Sequence, residues 1–188
     1  MIYKFTEVLN DLINYFILGD LLLMHSWKEA NKLSDDLATE FTTNESADVA
    51  FSEGIMIPMP GIENYPYTVL FNLSEDTSEL AKESSRLQFK REGYSLKIEN
   101  NMLALFTWPI LNQFNLENIE KLIDFNRQHS NPIIEIPNGW YQIEILGGET
   151  LQEQRYEPTL EFMIQPVDAP KVVTADMNMS FQIISSEH

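Results

Sequence analysis

The sequence predicts a mainly β, α+β protein: an antiparallel β-sandwich of about eight strands with an N-terminal helix and one or two further short helices. Three observations carry this. Apolar and polar residues alternate with period two in several short runs, as in Tyr67, Val69, Phe71 and Leu73 against Thr68, Leu70 and Asn72. The runs are separated by turn chemistry, most plainly at Pro137-Asn138-Gly139, where proline fixes φ and asparagine and glycine tolerate a reversal. Strands joined by tight turns, without a helix between each pair, argue against a parallel βαβ sheet.

Taken in order, Phe5, Val8, Leu9, Leu12, Ile13 and Phe16 recur at helical spacing before Gly19, which predicts the N-terminal helix over residues 3–18. Leu21-Leu22-Leu23-Met24 suits a buried strand or a helix start, and we favour the strand. Ser26, with Glu29 three residues on, has the form of a capping box for a helix through Trp27, Ala30, Leu33 and Leu37 to Phe41. A polar loop follows from Thr42. Pro58 and Pro60 confine the run from Gly54 to an edge or a strand exit, because proline cannot donate to a ladder. Residues 67–73 read as a central strand.

Ser74 to Glu83 is an acidic connection. Residues 87–89 and 94–98 flank Glu92-Gly93 as a hairpin, and Met102 to Trp108 is a strand ended by Pro109. Asn115 caps a helix to Gln128 through Leu116, Ile119, Leu122, Ile123 and Phe125, which recur at helical spacing. The stretch from Asn131 to Leu146 reads as an antiparallel hairpin about Pro137-Asn138-Gly139. A polar loop over 149–158, a strand at 160–164 and a last strand at 180–184 complete the chain. The expected organisation is one sandwich domain over 1–188: an N-terminal element over 1–41, the core over 49–165, and a linker with the last strand over 166–188.

At 188 residues, 44% hydrophobic and 11% aromatic, the chain can bury a core without a staple. With no cysteine, disulfides, thiolate zinc sites and thiol nucleophiles are excluded, and a reducing cytoplasm fits. Glu7, Asp11 and Asp20 interrupt the apolar N-terminal region, so we expect neither export signal nor membrane span, and a cytoplasmic protein. His25, His129 and His188 show no metal-ligand spacing, and no phosphate-binding or nucleophile motif occurs. Neighbouring acids such as Asp35-Asp36 lack a calcium-loop pattern, and Glu117, Glu120 and Asp124 are explained by their helix. No cofactor is expected, and no enzymatic activity.

The charge is the informative feature. Net charge is −17, and between Lys32 and Lys82 there is no Lys or Arg, while Asp35, Asp36, Glu40, Glu45, Asp48, Glu53, Glu63, Glu75, Asp76 and Glu79 fall in that interval. Residues 82–99 are locally basic instead. Such an acidic surface repels nucleic acid and anionic membranes, and suits either plain solubility or fast capture of a basic partner. Trp140 stands on the otherwise polar side of its run, which makes it a candidate anchor.

The order of Glu53-Gly54-Ile55-Met56-Ile57, Tyr67 to Ser74, Tyr94-Ser95-Leu96-Lys97-Ile98 and Ile136-Pro137-Asn138-Gly139-Trp140-Tyr141-Gln142-Ile143 resembles the competence-associated nuclease inhibitors of the competence protein J type and related bacterial toxin-immunity proteins. The resemblance implies a small cytoplasmic β-sandwich that binds and blocks a nuclease; with the acidic charge, the expected function is an immunity or inhibitor protein that docks an acidic face onto a basic toxin or nuclease. It transfers no functional residue. The docking residues we expect are therefore the ten acids and Trp140. The competing expectation is a small-molecule or carbohydrate-binding sandwich that uses Trp140, Tyr141 and Tyr156.

Overall fold

The computed structural model describes residues 1–74 and 77–188. Among the described residues, nine strands form two sheets. The first contains β1 (Ile2–Val8), β4 (Tyr67–Asn72), β9 (Arg155–Val167), β8 (Gly139–Gln152) and β5 (Arg86–Ile98) in that order; the second contains β3 (Met56–Pro60), β2 (Tyr15–Gly19), β6 (Met102–Thr107) and β7 (Ile133–Glu135). Phe16, Ile57 and Leu105 of the second sheet meet Phe71, Ile143 and Phe162 of the first in one core. The opposite face of the second sheet, with Ile17, Met56, Ala104 and Phe106, is covered by α1 (Leu21–Ala30), α2 (Leu37–Thr43), α3 (Ser46–Ser52), a 3-10 helix (Trp108–Gln113) and α4 (Leu116–Gln128). The layers thus run sheet, sheet, helices, and the mainly β, α+β class stands.

Several elements differ from the sequence reading. Residues 3–18 are two strands and a turn, with no helix. Tyr3 and Phe5 pair opposite Phe71 and Val69, and a bulge between Phe5 and Val8, with Glu7 at φ 57°, turns Val8 inward as well. That bulge and the following turn produce an apolar spacing that mimics a helix. Leu21 to Met24 is not a strand but the start of α1, whose cap is Asp20 and not Ser26, and the expected helix from Trp27 to Phe41 is broken between α1 and α2. Acids at both caps, with the charged and polar run 31–36 between them, explain the break.

β5 runs unbroken through Glu92-Gly93, where a bulge and Gly93 at φ 90° replace the expected hairpin. β7 and β8 do not pair: β7 lies against β6, β8 lies between β5 and β9, and Pro137-Asn138-Gly139 carries the chain from one sheet to the other. The true hairpin is β8–β9, turning at Glu153 and Gln154, both at positive φ, so 149–158 is mostly ladder. The β4–β9 pair is parallel, against an otherwise antiparallel plan. Residues 180–184 are not a strand; they run in irregular backbone from the end of β3, where Phe181 N donates to Pro60 O at 2.8 Å, to Gln88 of β5, which bonds Ile184. The edge position of β3 and the Asn115 cap, whose side chain accepts from Asn118 N at 3.0 Å, agree with the sequence reading.

Candidate functional site

The base-free interval begins in the helical layer. The buried Asp20 carboxylate accepts from Leu22 N and Leu23 N at the start of α1 and from Glu99 N and Asn100 N, at 3.0 and 2.9 Å, in the β5–β6 turn. This locks the helices to the sandwich. α1 buries Lys28, which pairs with Glu29 at 2.9 Å and with Asp35. Burial works against that ammonium, but the bonds to Asp35 and Glu29 outweigh it and hold its pKa above the ordinary lysine value. Asp35 is thus engaged by a buried base.

Asp36 caps α2, accepting from Thr39 N at 3.0 Å and Thr39 Oγ1 at 2.7 Å, and these bonds hold its pKa below the usual carboxylate value. Glu40 accepts from Ser34 N at 3.0 Å and Asn44 Nδ2 at 2.8 Å, with the same consequence. Glu53 accepts from the Trp27 indole at 2.7 Å. Glu45 and Asp48 differ from these four. Both are exposed at the start of α3, and neither carboxylate has a hydrogen bond or ion pair among the described residues.

Glu45 and Asp48 line a cleft whose far wall is the C-terminal segment, at Ala175, Asp176 and Met177; Val49 and Phe51 supply further apolar lining. That segment is held by Thr174 N and Ala175 N donating to Gly93 O at 3.0 and 3.3 Å. Asp176 lies outside the residues that the sequence reading named. Its carboxylate accepts from Asn178 N at 2.9 Å. Burial pushes the Tyr94 hydroxyl up to about 12, Arg91 works against this, and Asp176 adds to it. Nothing local to 166–188 signals the role, because it depends on a contact across the β5 edge. The lining contains three carboxylates and no base. Chemically it offers an apolar floor and an anionic rim, which suits a lysine or arginine with its aliphatic stem.

The other expected docking residues lie elsewhere. Glu63 sits between β3 and β4 and accepts from Gln182 Nε2 at 2.8 Å. Glu79 pairs with Lys82 at 2.6 Å between β4 and β5. Glu75 and Asp76 lie outside the described residues. Trp140, at the start of β8, packs over Gly54 at the exit of α3, with Lys97 Nζ 5.8 Å from its ring, so it adjoins the helical layer. The basic run 82–99 is largely neutralised: Arg86 meets Glu149 at 3.4 Å, Lys90 meets Glu92 at 2.6 Å and Glu144 at 3.1 Å, and Lys97 meets Glu99.

The three aromatic residues of the competing expectation do not form a platform. Tyr141 is buried and donates to Pro137 O at 2.7 Å, while Tyr156 is covered by the Arg86 guanidinium 3.5 Å from its ring centre. Tyr156 pairs with Leu151, ten residues beyond Tyr141 along β8, which is about 33 Å of strand. Among the described residues, no group of three or more His, Cys, Asp or Glu side chains is placed to hold a metal ion, and no helix is long and apolar enough to cross a membrane.

The fold is mainly β, of the α+β class, and the carboxylates of Glu45, Asp48 and Asp176 surround an open depression beside α3. No family model and no curated protein matches the chain. Solved structures similar to it include one described as Crocagin biosynthetic gene J, at 11% identity and a TM-score of 0.46, covering 88% of this chain and 97% of that one. Another is the crystal structure of ComJ, inhibitor of the DNA degrading activity of NucA, from Bacillus subtilis, at 12% identity and a TM-score of 0.43, covering 89% of this chain and 96% of that one.

Proposed function

We propose that this chain is an inhibitor of the immunity type, a cytoplasmic protein without enzymatic activity that captures a basic toxin or nuclease and occludes it. The observation that carries the reading is the cleft of Glu45, Asp48 and Asp176, whose lining holds no base; the half-exposed Glu40 stands next to it, bonded to Asn44 just ahead of Glu45, and the exposed Asp36 lies at the other end of α2. A lysine or arginine of the partner enters with its stem on Val49 and Met177 and its charge among the carboxylates. The acids then stand where nucleic-acid phosphates would otherwise neutralise the partner. Trp140 flanks this contact as an aromatic anchor. The order of motifs that resembles competence-associated nuclease inhibitors supports the same reading.

The test is affinity capture from the native lysate on the immobilised full chain at low and high salt, repeated with Glu45→Gln/Asp48→Asn/Asp176→Asn. The expected result is a basic protein retained at low salt, released near 0.5 M salt where the Debye length falls to roughly 4 Å, and lost with the triple variant. Capture of no basic protein, or capture indifferent to the three substitutions, overturns the reading.

A further inference from the structure

A second cleft lies on another side of the molecule, between the β1–β2 turn and the C-terminal half of α4. Val8, Phe16, Leu105 and Leu122 line it, Leu9 and Phe125 form its lips, and Glu7 and Asp11 are its charged members. We propose that this cleft is a docking groove for a segment of a protein partner that presents an apolar side chain beside lysine or arginine.

Three independent features support the assignment. Leu9 and Phe125 are 56% and 52% exposed, and next to them Leu12 and Ile13 are 78% and 38% exposed, an apolar surface that a purely structural turn has no reason to present. The turn is also strained. Asp11 and Leu12 adopt φ of 56° and 63°, a region that a leucine rarely enters. Buried Asn10 enforces that shape: its Nδ2 donates to Ile62 O at 3.0 Å and its Oδ1 accepts from Leu12 N at 3.2 Å. The structure thus holds Leu12 in solvent instead of letting it fold back.

The third feature is Asn126. It is 5% exposed and lines the cleft; its Oδ1 accepts from Asn131 Nδ2 at 3.1 Å, while its own Nδ2 donates to no group among the described residues and is not among the fully enclosed atoms. An amide donor without a partner among the described residues, on a nearly buried residue that lines the groove, suits a carbonyl oxygen of an incoming chain. The lining has two carboxylates and no lysine or arginine, and Thr107 Oγ1 steadies Asp11 by donating to it. A basic segment therefore fits, whereas a second copy of a chain with net charge −17 is repelled.

The experiment titrates a short acetylated and amidated peptide of alternating lysine and leucine, up to about 5 mM, into the 15N-labelled full chain, with the glutamate-leucine counterpart as control. The lysine peptide is expected to shift the amides of Leu9 and Thr107 and the side-chain amide of Asn126, saturably; the counterpart leaves them in place. Phe125→Ser, at a half-exposed ring stacked on His129 with ring centres 4.1 Å apart, weakens binding about tenfold, and so does Leu9→Ser. Met179→Ser, an exposed apolar residue outside the groove, changes nothing. Absence of these shifts, equal binding of both peptides, shifts confined to the α3 cleft, or self-association of the chain abolished by Phe125→Ser each overturns the proposal.

Discussion

The indole N–H of Trp27 donates to the Glu53 carboxylate at 2.7 Å, which ties the first helix of the helical layer to the residue that ends the third. Trp27 is buried and stacks at a tilt on Phe41 of α2, so one side chain fixes the relative position of all three helices. An acid in a base-free run can thus have a structural task as well as a charge.

Glu53→Ala is expected to cost about 1.5–3 kcal/mol, the range for a hydrogen bond to a charged group whose partner is left buried. Glu53→Gln keeps an acceptor and costs less than about 1 kcal/mol. Urea denaturation with unchanged m-values checks both. Equal losses for the two variants would mean that the carboxylate acts through its charge.

Gly54 and Trp140 should be energetically coupled. Gly54 has φ 71°, and a Cβ there would stand 2.7 Å from Trp140 Cζ3 and 3.1 Å from Ser95 O. Gly54→Ala therefore meets a backbone penalty of about 1–2 kcal/mol and a steric one besides. Trp140→Ala removes the ring but not the backbone penalty, so a double-mutant cycle is expected to show a favourable coupling of about 1 kcal/mol. Strict additivity would place the whole cost in the backbone.

Acid should loosen the C-terminal segment. Burial alone raises the Glu149 pKa, but the Ser186 N–H at 2.6 Å, the Ser186 hydroxyl at 2.7 Å and the Arg86 guanidinium outweigh it, leaving the folded value below the ordinary one. A group depressed in the folded state contributes stability above its unfolded pKa and loses it as pH falls through the folded value. Below the ordinary glutamate range, near pH 4, exchange at the Ser186 amide should therefore accelerate, after scaling for intrinsic rates. In Glu149→Gln the same acceleration is present already at neutral pH.

How much of this was legible in the sequence depended on whether the signal was local. Asn115 announced α4, and Pro58 and Pro60 announced an edge, because caps and missing donors act within a few residues. The hairpin about Pro137-Asn138-Gly139 failed because turn chemistry reverses a chain without specifying which sheet receives it. Tyr3, Phe5 and Val8 read as helical because a bulge breaks period two. For the proposed site, charge density along the chain marked all ten acids of the 35–79 interval alike, Glu45 and Asp48 among them. It gave no hint that Asp36, Glu40 and Glu53 were engaged in capping and bridging, or that Asp176 would arrive from more than a hundred residues away.

That arrival rests on Phe181. It is fully buried, packs edge-on against Phe89 with ring centres 5.7 Å apart, and its N–H donates to Pro60 O at 2.8 Å at the end of β3. Phe181→Ala should cost about 3–5 kcal/mol, as for a large aromatic removed from a core, whereas Ile184→Ala, 74% exposed, stays within about 0.5 kcal/mol. Released from its anchor, the segment no longer holds Asp176 against α3, and the end of β3 is uncovered. Phe181→Ala at a temperature where it remains folded should therefore show faster exchange at Thr174 and Ala175, whose amides bond Gly93 O. If those amides stay protected while global stability falls, the Asp176 wall of the cleft is held by Gly93 alone and Phe181 serves only the core.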